Sequence, residues 1–287
     1  MLKAGAEGKR GRTIVITGAS DGIGAAAARL LASDEVRLVL VGRSPTKTKA
    51  VAQQVGAEYH VCDFERLDEV RQLAAVLLDT LEHIDVLANN AGGVFAGPVI
   101  TVDGFERTLQ VNHLAPYLLT NLLIERLVAS QASVVNTSSI AARLYSRLDL
   151  DDLNGVNGFR SMTAYGNTKL GNVLFAKELH RRFNARGLSA VAFHPGGVAT
   201  NFAVDVSGAT RWMYHTFLNR FLDSSDKGGA RLAHFIAGRP GDAWVSGEYH
   251  GPDLTIKRTH KLAYDPEVAR RYWELSAEML GITWVGG

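Results

Sequence analysis

Apolar and polar positions along this chain fall into two alternating patterns. Short continuous apolar runs, bounded by turn residues, stand at Thr13–Thr17 (TIVIT), Val36–Val41 (VRLVLV), Tyr59–Cys62, Ile84–Ala88 (IDVLA), Ser133–Thr137 (SVVNT) and Leu188–Phe193 (LSAVAF). Runs of this length without strict alternation predict strands buried on both faces. Helix-compatible segments lie between them: Ile23–Ala32, Leu67–Leu81 with Val70, Leu73, Leu77 and Leu81 at helical spacing, Phe105–Leu127 and Thr163–Phe183. A last helix is predicted to open at Asp265-Pro266 and stop near Gly281, with Val268, Tyr272, Leu275 and Met279 on one face. Strands alternating with helices predict an α/β fold, a doubly wound parallel sheet with helices on both faces. No Pro- or Ser-rich linker and no internal repeat divides the sequence. A single domain over 13–287 is expected, after a flexible leader at 1–12.

Composition narrows the function classes. The 287 residues are 46% hydrophobic and 21% charged, ordinary values for a globular chain able to bury its own core. A formal net charge of +2 argues against a nucleic-acid surface. No apolar run approaches the length that spans a bilayer, and no apolar signal core follows the basic first dozen residues, so a soluble, cytoplasmic protein is expected. The one cysteine, Cys62, rules out an internal disulfide and reads as a small buried hydrophobe. No His/Cys/Asp cluster has metal-ligand spacing, so no metal is expected.

The chemistry begins directly after the first strand, with TGASDGIG at 17–24. Gly18, Gly22 and Gly24 suit a turn that lets the backbone, from Ser20 and Asp21 to Ile23, approach a pyrophosphate at a helix N-terminus. The strand–turn–helix context supports this over a bare βα turn. After the second strand, an NAD site wants a carboxylate for the ribose 2′-hydroxyl. The sequence offers Gly42, Arg43 and Ser44. A guanidinium there suits a 2′-phosphate and favours NADP(H) over NAD(H); the alternative is a solvated charge at a strand end.

These residues, with Asp63, NNAG at 89–92, Asn112, the serine pair at 138–139, YGNTK at 165–169 and PGGVAT at 195–200, occur in an order that resembles the short-chain dehydrogenases/reductases over roughly residues 12–250. The resemblance implies a Rossmann-type sheet and an oxidoreductase. It also implies that Asp63, with Phe64 beside it, meets the adenine, and that Asn90, Ala91 and Gly92 line the adenosine ribose. Thr137 joins the cofactor set, and Pro195, Gly196, Val198 and Thr200 hold the nicotinamide carboxamide. Asn112, Ser139, Tyr165 and Lys169 match the family's catalytic tetrad, in which Asn112 would hold a water linking Lys169 to solvent. Ser139 and Tyr165 stand 26 residues apart, about twice the usual separation, and the extra segment carries LDLDDLNG at 148–155. This resembles the retinol dehydrogenase and WW-domain oxidoreductase subgroup, although neither a WW domain nor an N-terminal membrane anchor is expected.

The residue types suit an alcohol–carbonyl interconversion. A free tyrosine titrates near ~10 and is a poor base at neutral pH, but a nearby cation favours its anion. Tyr165 and Lys169 share a helix face at i and i+4. Ser139 ends the fifth strand and could hydrogen-bond the substrate oxygen, with Ser138 its rival. His113 and His194 read as packed residues before they read as acids. Between Thr200 and Lys227, Met213, Phe217 and Phe221 form an apolar stripe among Phe202, Trp212 and Tyr214. They suit a substrate lid over a bulky apolar carbonyl or alcohol, or equally packing on the body or on a neighbouring subunit. The helices around 105–127 and 163–183 resemble the family's dimerisation helices, so a homodimer or homotetramer is expected. Two other readings stand beside the reductase: a non-catalytic dinucleotide sensor, which would not need all four tetrad residues, and an epimerase or dehydratase, for which the residues after Pro195 are few.

Overall fold

The computed structural model describes residues 11–197 and 224–284. Seven strands form one sheet in the order β3-β2-β1-β4-β5-β6-β7. They are β1 (Arg12–Thr17), β2 (Val36–Gly42), β3 (Glu58–Val61), β4 (Val86–Asn89), β5 (Ser133–Thr137), β6 (Ser189–Phe193) and β7 (Tyr249–His250). Every pairing is parallel. The first three strands run outward from β1, and β4 then returns to its other side. The loops after β1 and β4 therefore part in opposite directions and leave a crevice at the carboxyl edge, where such sheets bind ligands.

Alternate residues of each strand face opposite helical layers. Ile14, Ile16, Leu38 and Leu40 pack under α1 (Gly22–Leu31), α2 (Pro45–Val55) and α8 (Ser225–Ala237). Val15, Val39, Val41 and Leu87 pack under α3 (Leu67–Thr80), α5 (Ala115–Ala129) and α7 (Ser161–Phe183). This is the expected Rossmann-type doubly wound arrangement. Among the described residues, three helices and one strand were not anticipated: α2, which Ser44 caps and Pro45 opens, the short α6 (Ala141–Leu144), α8, and the two-residue β7. The first strand begins at Arg12, so the expected leader ends one residue sooner, and residues 1–10 lie outside the described residues.

The helix expected at Phe105–Leu127 is interrupted. Glu106 caps α4 (Arg107–Leu109) by accepting from the amides of Thr108 and Leu109, and a π-helical turn, Gln110–Leu114, joins α4 to α5. Pro116 has no N–H to return to the carbonyl of Asn112, so a regular α-helix cannot continue through this point.

The last helix, α9 (Pro266–Leu280), opens under Asp265 as expected, but its buried face is turned by about one residue. Ala269, Tyr272, Trp273, Ser276 and Leu280 are buried, whereas Val268, Leu275 and Met279 are half-buried. The rotation follows from what it covers. α9 lies over α7 and α5, and the ring of its Trp273 packs against those of Trp284, Tyr117, Phe175 and Phe183. The Tyr117 hydroxyl donates to the carbonyl of Trp273 at 2.7 Å and accepts from Trp284 Nε1 at 2.8 Å. Among the described residues, no helix is long and apolar enough to cross a membrane.

Candidate active site

The glycine turn sits directly against the loop after β4. Gly18 and Gly22 have φ of +66° and +54°, in the region open to glycine. A Cβ on Gly18 would lie 2.8 Å from Ala91 Cα, and one on Gly24 would strike the carbonyl of Gly18. The space these absent side chains leave is a cradle at the start of α1, which fits a dinucleotide diphosphate. Asp21 caps α1 by accepting from Gly22 N at 2.8 Å. Ser20 is half-buried beside Gly42, and Ile23 is a core side chain that can offer the crevice only its backbone. Thr17 gathers the strand ends: its hydroxyl donates to the carbonyl of Ala88 and accepts from the amides of Asn90 and Ala91 at 3.0 and 3.1 Å. The Asn90 side chain donates back to the Thr17 carbonyl and accepts from the Thr137 hydroxyl at 3.2 Å. Asn90, Ala91 and Thr137 thus lock β1, β4 and β5 together at the crevice.

At the outer end of the crevice, Arg43 is exposed and its guanidinium lies 3.1 Å from the Glu65 carboxylate. Lys47 pairs with Asp21 at 2.8 Å. Ser44, expected beside the cofactor, caps α2 by accepting from Lys47 N. Asp63 is half-buried and accepts from Glu65 N at 3.0 Å. The ring of Phe64 is buried in the core, so only its main chain can face an adenine there.

The proton-handling residues converge where α7 crosses the loop after β5. A Cβ on Gly166 would lie 2.9 Å from the carbonyl of Ala141, so α7 rests almost backbone to backbone on the segment that follows Ser139. That contact brings Tyr165 against α6 (Ala141–Leu144). Ser139 is half-buried, and its hydroxyl accepts from Ala141 N at 3.2 Å. The Ser138 hydroxyl is buried and donates to the main-chain carbonyl of Lys169 at 2.7 Å. Lys169 itself is fully buried. Its Nζ lies 5.5 Å from the Tyr165 ring centre and donates to the Thr137 carbonyl at 3.0 Å. Burial penalises the ammonium and lowers its pKa to about 7.

A Cβ on Gly92 would lie 2.5 Å from Asn112 Oδ1 and 3.4 Å from Lys169 Nζ, so the loop after β4 passes between these two side chains. Asn112, buried in the π-helical turn, accepts from Gly93 N at 2.8 Å and donates to the Gly93 carbonyl at 2.9 Å. It fastens the strap that follows β4. The expected Asn112, Tyr165, Lys169, Thr137 and Gly92 are therefore neighbours, and Ser139 stands on the facing loop. Asn172 was missed: its amide donates to the same Thr137 carbonyl at 3.1 Å. Its position three residues beyond Lys169, on the same helix face, was the available signal.

Both histidines are buried. His113 lies among Tyr117, Phe175 and Tyr272, and burial pushes its imidazole down to about 3, so it is neutral. The Ser276 hydroxyl donates to the Tyr272 carbonyl, so its lone pair receives His113 Nε2–H at 2.9 Å. His194 Nδ1 accepts from Gly196 N at 3.3 Å and shapes the turn after β6. Val198, Thr200 and the aromatic stripe from Phe202 to Phe221 lie outside the described residues. At the end of the expected lid, Ser224 caps α8 and Ser225–Lys227 form its first turn. Among the described residues, no group of three or more His, Cys, Asp and Glu side chains could hold a metal ion.

Comparison with known proteins agrees with this architecture. The model of the short chain dehydrogenase family matches residues 12–210. The chain is 38% identical, over 96% of its length and 95% of the relative's, to a protein of Streptomyces sp. (strain C5) whose name proposes it as a daunorubicin C-13 ketoreductase. It is 35% identical to human retinol dehydrogenase 13, over 95% of this chain and 85% of that one. A crystal structure of an uncharacterised protein from Mycobacterium paratuberculosis superposes with a TM-score of 0.77 at 31% identity, covering 95% of this chain and 94% of that one. The chain belongs to the short-chain dehydrogenase family. It is an oxidoreductase of the alcohol–carbonyl type, built to work with a nicotinamide dinucleotide.

Proposed function

We propose that this enzyme is an NADP(H)-preferring carbonyl reductase or alcohol dehydrogenase in which Tyr165 is the general acid and base. One observation carries the reading: the buried Nζ of Lys169 lies 5.5 Å from the Tyr165 ring and beside Gly92, and so joins the catalytic helix to the nucleotide crevice. The dinucleotide, when bound, supplies or accepts the hydride. Tyr165 gives its proton to the oxygen of the substrate in reduction and takes it back in oxidation. A protonated Lys169 favours the tyrosinate form, and the half-buried Ser139 hydroxyl steadies charge developing on the substrate oxygen. Asn112 holds the strap at Gly93, beside Lys169. At the far end, Arg43, Ser44 and Asp63 receive the adenosine, and Arg43 suits a 2′-phosphate.

Two features favour a bulky apolar substrate. Ile140, Leu144 and Tyr145, directly beyond Ser139, are exposed by 39%, 52% and 44%. The relatives' names point to retinol and to daunorubicin as their substrates. The homo-oligomer implied by the sequence fits best through surfaces other than α5 and α7, because α9 of the same chain already covers those helices.

Oxidation of NADPH with a panel of aromatic and aliphatic ketones tests the reading, with Tyr165→Phe beside the wild type. The variant is expected to lose about 100-fold or more of kcat and to keep cofactor binding. Equal rates in the two proteins would remove Tyr165 from the chemistry.

A further inference from the structure

We infer that Arg231, on α8, is the positioning residue for the loop that receives the nicotinamide end of the cofactor. Its guanidinium donates from Nη1 to the Pro195 carbonyl at 2.6 Å and from Nε to the Pro252 carbonyl at 2.7 Å. It therefore ties the loops after β6 and β7 to each other and to α8. Both loops stand at the carboxyl edge of the sheet.

The placement explains why such a tie is needed. Pro195 has no N–H with which to anchor itself. Gly196 and Gly197 follow it, and Gly196 has a φ of +99°. Glycine restrains the backbone little, so neither residue by itself fixes the loop at Pro195. The Pro195 carbonyl is thus a point at which this loop can be held, and a charged fork is the group that can hold it and Pro252 together. Hydrogen bonds from a guanidinium are stronger than those between neutral groups. The adenosine end of the crevice lies beyond β1, β2 and β3 on the other half of the sheet and does not depend on this tie.

The inference rests on the proposed function, in which the segment from Pro195 meets the nicotinamide. Its test separates the two ends of the cofactor. The full-length wild type, Arg231→Met and Arg231→Lys are titrated with NADPH and with 2′-phospho-ADP-ribose, which lacks the nicotinamide. The Arg231→Met variant is expected to bind NADPH about tenfold more weakly and the fragment within about twofold of the wild type. Arg231→Lys, with a compact point charge in place of the fork, is expected to fall between, and it carries the test if the methionine variant does not fold. An equal loss for both ligands, or no loss for either, overturns the role given to Arg231. Failure of the wild type to bind either NADPH or NADH would instead overturn the proposed function.

Discussion

The ammonium of Lys169 donates to the main-chain carbonyl of Thr137 across 3.0 Å, at the end of the strand that leads into Ser138 and Ser139. A carbonyl dipole offsets little of the cost of burying a full charge, which is why the group titrates near 7 in the folded chain. In the unfolded chain a lysine titrates near ~10.4. Above that value the group is neutral in both states and costs nothing. Between the two values the unfolded chain binds the additional proton, so stability falls as the pH falls. Below about 7 both states are charged and the whole penalty, on the order of 5 kcal/mol, is present. Lys169→Met is therefore expected to be more stable than the wild type at pH 6, by an amount that shrinks toward pH 10. Denaturant unfolding of both proteins across this range checks it, and a constant difference between them would contradict the buried-charge account.

The sheet was legible in the sequence because each strand is a short apolar run closed by turn residues. The nucleotide crevice was legible because glycines mark its turn. What escaped were features whose signal is not periodic. α2 has a weak apolar face and announces itself mainly through the cap at Ser44 and Pro45. β7 is two residues long, too short to show a pattern, and is defined by its pairing with β6 and by a bridge from His250 to Ile256. The π-helical turn at Asn112 was readable from Pro116, but only as a break and not as the widened turn that forms. The apolar face of α9 was placed one residue off because Ser276, a polar residue, is the one that faces His113. Tertiary partners, and not local pattern, decided each of these.

Ser138 and Ser139 are adjacent in sequence but differ in what their hydroxyls are free to do. Ser138 is buried and already donates to α7, whereas Ser139 is half-buried and accepts from Ala141 N, which leaves its proton available to a substrate oxygen. Ser139→Ala is expected to lower kcat about 100-fold with little change in thermal stability. Ser138→Ala is expected to cost about 1–2 kcal/mol of stability by leaving the Lys169 carbonyl short of a donor, with a smaller effect on kcat. Steady-state kinetics and thermal unfolding of both variants check the pair, and the opposite pattern would exchange their roles.

Arg43 and Glu65 form an ion pair at the mouth of the adenosine end, and Arg43 remains 64% exposed within it. A pair so open to water contributes at most about 0.5 kcal/mol to stability, so its meaning lies in cofactor choice. A 2′-phosphate offers Arg43 a stronger, bidentate partner than a single carboxylate does, and must draw the guanidinium away from Glu65. Arg43→Ala is expected to raise the KM for NADPH about tenfold and to leave that for NADH within about twofold. Glu65→Gln removes the competing charge and is expected to tighten NADPH by a fewfold, again without effect on NADH. Parallel KM measurements with the two cofactors decide the matter. A loss of equal size for both in Arg43→Ala would mean that the guanidinium does not read the 2′-phosphate.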